Sequence, residues 1–191
     1  MLGRSMGKQD HFAAAYGNLN VFTFKSDETV IVEPVLYREE VKKAIEKNLM
    51  LFYLQSKRDA SEILKVLQSN TKEKRSNLRE LKNLVQPLCE VFSDGVELSK
   101  FGEILHKGWE IKKNLTRHIS SFEIDEYYRR GIEAGAIGGK LLGAGGGGFL
   151  LLYVEEVNQK AVLEELNELY FLPVKFDNGG TRITYYDQPT V

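Results

Sequence analysis

A chain of 191 residues, 42% apolar and 28% charged, can bury a core without disulfide or metal staples, and it reads as one domain with room for an appended segment. Its 26 Lys and Arg against 27 Asp and Glu leave a net charge of −1. That balance lacks the basic excess of a nucleic-acid binder, so no nucleic-acid partner is expected and any anion site must be local.

The first residues, 1 to 18, read as a glycine- and alanine-rich loop entering a short helix from Gln9 to Tyr16. Val21–Phe24 and Thr29–Val35 read as strands, with Pro34 near an edge. Tyr37–Asn48 is charged and suits a surface helix, and the apolar run Leu49–Leu54 suits a strand covered on both faces. Helical periodicity then dominates through Ile63, Leu64 and Leu67, through Leu78, Leu81, Val85 and Leu88, and, after Ser93-Asp94-Gly95, through Ile104, Ile111, Leu115 and Ile119. Cys89 is the one cysteine, which rules out an intrachain disulfide and fits a reducing cytoplasmic setting; in its helical stretch it reads as a buried structural thiol.

Ser120 and Glu123 form a candidate capping box for a helix that stops at Gly135. Gly139–Leu142 and Phe149–Val154 read as strands flanking a glycine run. Phe149–Val154 is also the longest apolar stretch, far too short for a membrane span, and the N-terminal residues lack the apolar run of a secretory signal. Asn158 is a candidate cap for a helix with Val162, Leu163, Leu166, Leu169 and Tyr170 on one face. Leu172–Phe176 and Arg182–Tyr186 read as a hairpin around Asp177-Asn178-Gly179-Gly180. Strands and helices mix without regular alternation, which points to an α+β fold with helices on a mostly antiparallel sheet.

The sharpest feature is Gly143-Ala144-Gly145-Gly146-Gly147-Gly148, five glycines in six residues. So many glycines cost backbone entropy, and they let N–H groups approach an anion closely or form an anion-binding nest. A Walker A loop is excluded because Gly139-Lys140 is followed by Leu141, which has no hydroxyl for magnesium. A dinucleotide fold needs a helix after its G-x-G-x-x-G, and here a strand follows. A protein-kinase loop is excluded by the lack of His-Arg-Asp and Asp-Phe-Gly sequences. A glycine-rich turn that only permits close packing remains the plain alternative.

Gly139–Phe149, with Lys-Leu-Leu-Gly-Ala-Gly-Gly-Gly-Gly inside it, resembles the third motif of the GHMP (galactokinase, homoserine, mevalonate, phosphomevalonate) kinases. Gly7–Asn20 is similar to the segment that carries that family's catalytic aspartate, and its Gly-Lys-Gln-Asp form points to the heptose-phosphate branch. Trp109–Lys113, Gly135–Leu142 and Gly180–Ile183 agree with that branch. His11 stands where relatives often have Gln. The resemblance implies a GHMP C-terminal domain of ferredoxin-like type over residues 37–191, preceded at 1–36 by the end of the N-terminal kinase domain. Family members are longer on the N-terminal side, where a Gly-Leu-Gly-Ser-Ser-type loop holds ATP, and nothing like that loop occurs here. A missing N-terminal kinase half is therefore the expected partner. Apolar surface left open in its absence is expected to promote homo-oligomers.

By the same resemblance, ATP with Mg2+ phosphorylates a sugar phosphate, with the anomeric hydroxyl of a heptose 7-phosphate as acceptor. Asp10 is implied to orient or deprotonate that hydroxyl, although it also reads as a helix cap. Lys8 is implied to stabilise phosphate charge, although alone it reads as a solvated lysine. Gln9, Gly17 and Arg58 fall on the acceptor side; Arg58 reads equally as a surface residue. Gly143, Ala144, Gly145, Gly146, Gly147 and Gly148 are implied to lie near the phosphates. Lys112, Lys113 and Arg117 read as a solvated basic face, and His106 and His118 have no ligand partners at metal spacing. The alternatives are a non-catalytic sugar-phosphate-binding or sensor module, and a kinase for another acceptor such as galactose or a mevalonate-type substrate.

Overall fold

The computed structural model describes residues 7–54, 74–116 and 118–185. They fall into two compact units, one built from Gly7–Val35 and the segment from Lys175, the other from Leu36–Val174. Among the described residues no helix is long and apolar enough to cross a membrane.

In the first unit, helix α1 (Lys8–Tyr16) is followed by an antiparallel hairpin of β1 (Asn20–Phe24) and β2 (Val30–Pro34). No α1 residue is buried. What holds the helix is aromatic: Phe12 lies 6.0 Å from Phe22 and 5.7 Å from Phe24, centroid to centroid, and Tyr16 lies 6.2 Å from Phe22.

The second unit runs α2 (Glu39–Asn48), β3 (Leu49–Leu54), α3 (Arg75–Asn83), α4 (Val85–Asp94), α5 (Ser99–Lys113), α6 (Phe122–Glu133), β4 (Gly138–Leu141), β5 (Gly148–Tyr153), α7 (Glu156–Glu165) and β6 (Tyr170–Pro173). The sheet order is β4-β5-β3-β6 with every neighbour antiparallel. That is the ferredoxin-like arrangement expected from the sequence, an α+β fold. Met50, Phe52 and Leu54 of β3 join Leu150 and Leu152 of β5 in one core, with Trp109, Ile124, Val162 and Leu166 from the helices. Alternation in a strand sends neighbours to opposite faces.

Several local expectations change in the folded chain. β3 is not covered on both faces: Leu51 is half-buried and Tyr53 exposed. Its unbroken apolar run reflects a central place, with β5 on one side and β6 on the other. The cap of α6 is Ser121 rather than Ser120; Ser121 Oγ accepts from Ile124 N–H at 3.3 Å, while Ser120 Oγ donates to Asp125 Oδ1 at 2.9 Å. That register turns Ile124, Tyr128 and Gly131 into the core at helical spacing. Asn158 lies inside α7, which starts beyond Glu155 directly after the buried end of β5. Leu115 and Ile119 follow the end of α5 and are buried from the connecting segment. The C-terminal hairpin does not form: β6 covers Tyr170–Pro173, and residues 182–185 are not a strand. The backbone groups expected to pair there have other partners, with Thr181 N–H donating to Ala14 O at 2.8 Å and Asn18 N–H to Asp177 O at 2.7 Å. Ile63, Leu64, Leu67, Arg58 and Arg117 lie outside the described residues.

Candidate functional site

The first cluster sits on α1. Gly7 is the cap residue, with φ −74° and ψ 144°, and no side chain caps the helix. Asp10 is therefore not the cap: it stands in the first turn, exposed, where the helix dipole favours a carboxylate. Lys8 and Gln9 line an open groove of about 410 Å3 with Gly7, Phe24, Lys25 and Glu28. Asp10 follows them on the same turn without lining the groove.

Gly17, at the other end of α1, is buried. Its φ of 62° is left-handed, and a Cβ there would run into the Gly180 backbone. Gly180 mirrors it: with φ 58°, its own Cβ would lie 2.5 Å from Ala15 O. Thr181 donates to Ala14 O from both N–H, at 2.8 Å, and Oγ1, at 3.0 Å. The turn thus caps from outside a carbonyl that the helix end leaves open. The Gly180–Ile183 motif is visible in the sequence, but its partners at Ala14, Ala15 and Gly17 lie too far away along the chain for local pattern to reveal them.

The second cluster is the glycine loop between β4 and β5. Gly143, Gly145, Gly146 and Gly148 have φ of 82°, 123°, 74° and 102°. Leu142 N–H donates to Phe149 O at 2.8 Å and Gly146 N–H to Ile119 O at 2.9 Å. A Cβ on Gly145 would lie 2.8 Å from Ile119 Cα, so this loop is laid directly on the backbone before α6. Among the described residues the N–H groups of Ala144, Gly145 and Gly147 make no backbone hydrogen bond, and they can meet an anion.

Lys112 and Lys113 do not form a merely solvated face. Lys112 Nζ donates to Gly143 O at 2.6 Å. Lys113 pairs with Glu110 at 2.7 Å, with its Nζ 5.9 Å above Trp109 and 5.8 Å above Tyr128. Helical spacing marked them as one face but could not reveal the loop and rings that the fold brings against it. On β4, burial lowers the pKa of Lys140. Tyr128 Oη lies 2.7 Å from His106 Nδ1, and burial pushes its phenol well up. The Cys89 thiol is half-buried and also pushed up, by burial first and Glu90 second, as suits an unreactive thiol.

Residues 96–171 match the family of GHMP kinases C terminal. Over 176 residues the chain is 27% identical to the D-glycero-alpha-D-manno-heptose 7-phosphate kinase of Campylobacter jejuni, covering 87% of this chain and 50% of that one. A D-glycero-D-manno-heptose 1-phosphate kinase structure from Bacteriodes thetaiotaomicron matches with TM-score 0.60 and 27% identity over 96% of this chain and 51% of that chain. The L. major mevalonate kinase in complex with R-mevalonate shares the fold, with TM-score 0.66, 16% identity, and 87% and 50% of the two chains covered. The chain spans about half the length of these relatives. Residues 96–171, which hold α5, α6, β4, β5 and α7, are thus the part of this chain that is similar to the C-terminal domain of the GHMP kinases.

Proposed function

We propose that the chain supplies the acceptor-side residues of an ATP-dependent sugar kinase, acting with a nucleotide-binding half and phosphorylating the C1 hydroxyl of D-glycero-D-manno-heptose 7-phosphate. The observation that supports this best is a Gly-Lys-Gln-Asp sequence on the exposed first turn of α1, in a chain similar over 176 residues to a heptose 7-phosphate kinase.

Phosphoryl transfer needs positioning and charge neutralisation more than covalent chemistry from the protein. Asp10 holds the acceptor hydroxyl and takes its proton at a carboxylate oxygen. Lys8 offsets negative charge beside it, and Gln9 offers an amide to the sugar. Gly17, buried against Gly180, closes the helix that carries all three. Arg58 is a further candidate for the acceptor's phosphate. The amides of Ala144, Gly145 and Gly147 are offered to a phosphate group, on a loop that glycine at 145 lets lie against the Ile119 backbone. ATP, when bound, supplies the transferred phosphoryl group, and Mg2+ neutralises its oxygens. Mg2+ would come with ATP, whose phosphate oxygens are its usual partners.

The test is ADP release with Mg-ATP and a panel of sugar phosphates, galactose and mevalonate, with Asp10→Asn alongside. The expected result is turnover selective for heptose 7-phosphate and reduced about 10²- to 10⁴-fold in the variant. Full activity in Asp10→Asn removes the assigned role. Preference for galactose or mevalonate replaces the acceptor. Tight sugar-phosphate binding without turnover, even with a nucleotide-binding half supplied, favours a sensor.

A further inference from the structure

We infer that the β1–β2 turn, Lys25 to Thr29, is a recognition loop for a phosphorylated polyol, with Lys25 as the cation for its phosphate and Glu28 as an acceptor for a neighbouring hydroxyl. This rests on the acceptor-side reading of α1 and adds two residues to it.

The turn faces the groove that Lys8 and Gln9 line, and contributes Lys25 and Glu28 to it, with Phe24 just before. It is held firmly for an exposed turn. Lys25 N–H donates to Thr29 O at 2.9 Å, and Glu28 N–H to Lys25 O at 3.2 Å. Thr29 donates to Asp27 Oδ1 from N–H at 3.0 Å and from Oγ1 at 2.6 Å, which holds the Asp27 carboxyl below its ordinary range. Asp27 is thereby committed to the turn.

Glu28 has φ 69°, a left-handed conformation unusual for a residue with a long side chain. A turn needing only shape would be served better by Gly or Asn. Strained positions of this kind concentrate where a side chain must be presented. Here the side chain is presented to Lys8, with Glu28 Oε2 4.0 Å from Lys8 Nζ and both groups exposed. So long and exposed a pair is weak and readily exchanged for a ligand.

Lys25 differs from Lys8: it has no acidic partner among the described residues. The groove wall therefore holds two lysines against one carboxylate, an amide at Gln9 and an aromatic ring at Phe24. An excess positive charge suits a phosphate, Gln9 and Glu28 suit hydroxyls, and the Phe24 ring suits the apolar side of a carbon chain. The same charge would also attract a nucleotide's polyphosphate, so the two sources must be separated by experiment.

Calorimetric titrations with heptose 7-phosphate, the unphosphorylated heptose and ADP answer this for the unaltered chain, Lys25→Met, Lys25→Arg and Glu28→Gln. Lys25→Met is expected to weaken heptose 7-phosphate about ten- to a hundredfold and to leave the unphosphorylated heptose unchanged. Lys25→Arg is expected to restore most of the loss, and Glu28→Gln to weaken both sugars. Unchanged affinity of Lys25→Met for heptose 7-phosphate overturns the inference while leaving the Asp10 reading intact. A loss confined to ADP reassigns the cation to a nucleotide and also overturns it. Failure of the unaltered chain to bind either sugar, with or without a nucleotide-binding half, overturns the acceptor-side reading and this inference together.

Discussion

The α1 region and the glycine loop both carry residues suited to phosphate chemistry, yet they are held in opposite ways. The loop connects β4 to β5, whose Leu150, Leu152 and Tyr153 are fully buried. It is tied down by Gly146 to Ile119 and by Lys112 to Gly143. α1 has no buried residue, and its Phe12 and Tyr16 rest on two hairpin rings, Phe22 and Phe24, with an external cap from Thr181. The contrast teaches that one site draws its geometry from a packed core, whereas the other draws it from a few surface contacts. The second kind of region opens at low free energy.

Core substitutions should break this contrast most strongly. Leu152→Ala is expected to cost about 2–5 kcal/mol, because it deletes buried methyl groups and leaves a cavity. Phe12→Ala, on exposed α1, should cost less than half of that. Urea unfolding measures both; equal losses would mean that α1 is as firmly integrated as the sheet.

Next come the glycines. Gly145→Ala should cost about 1–3 kcal/mol of global stability, through its positive φ and its contact with Ile119. Gly180→Ala should cost a similar amount locally, and appear as faster amide exchange in α1 with little change in the sheet. Slower or unchanged exchange in α1 would show that the Thr181 cap is dispensable.

The smallest effect sharpens the comparison through pH. Burial lowers the pKa of Lys140, so the unfolded chain holds more protons than the folded chain between the lowered folded pKa and the ordinary lysine value. Stability from this group therefore rises with pH across that window and carries its full penalty below it. Lys140→Met should raise stability at neutral pH and flatten the alkaline rise in a denaturation series. A variant with an unchanged pH profile would mean that Lys140 stays hydrated.

Much of this was legible in the chain itself. The run Leu49–Leu54, the glycines from Gly143 to Gly148 and the stop at Gly135 each have a local physical cause, and the corresponding elements formed close to their expected bounds. Lys8, Gln9 and Asp10 were legible as a motif on a short helix because the signal lies within a few residues. The misplaced caps at Ser120 and Asn158 arose where two candidate polar residues stood near one helix start, and only the burial of Ile124, Val162 and Leu166 chose between registers.

What the sequence by itself determined was most of the strands and helices, the α+β class and the position of the glycine loop, since periodicity and glycine content act over short range. Tertiary structure decided the sheet order β4-β5-β3-β6, the lysine on Gly143, the Gly17–Gly180 contact and the groove between Lys8 and the β1–β2 turn. Each of those depends on groups far apart along the chain, and their meeting is set by how buried faces pack rather than by any local preference.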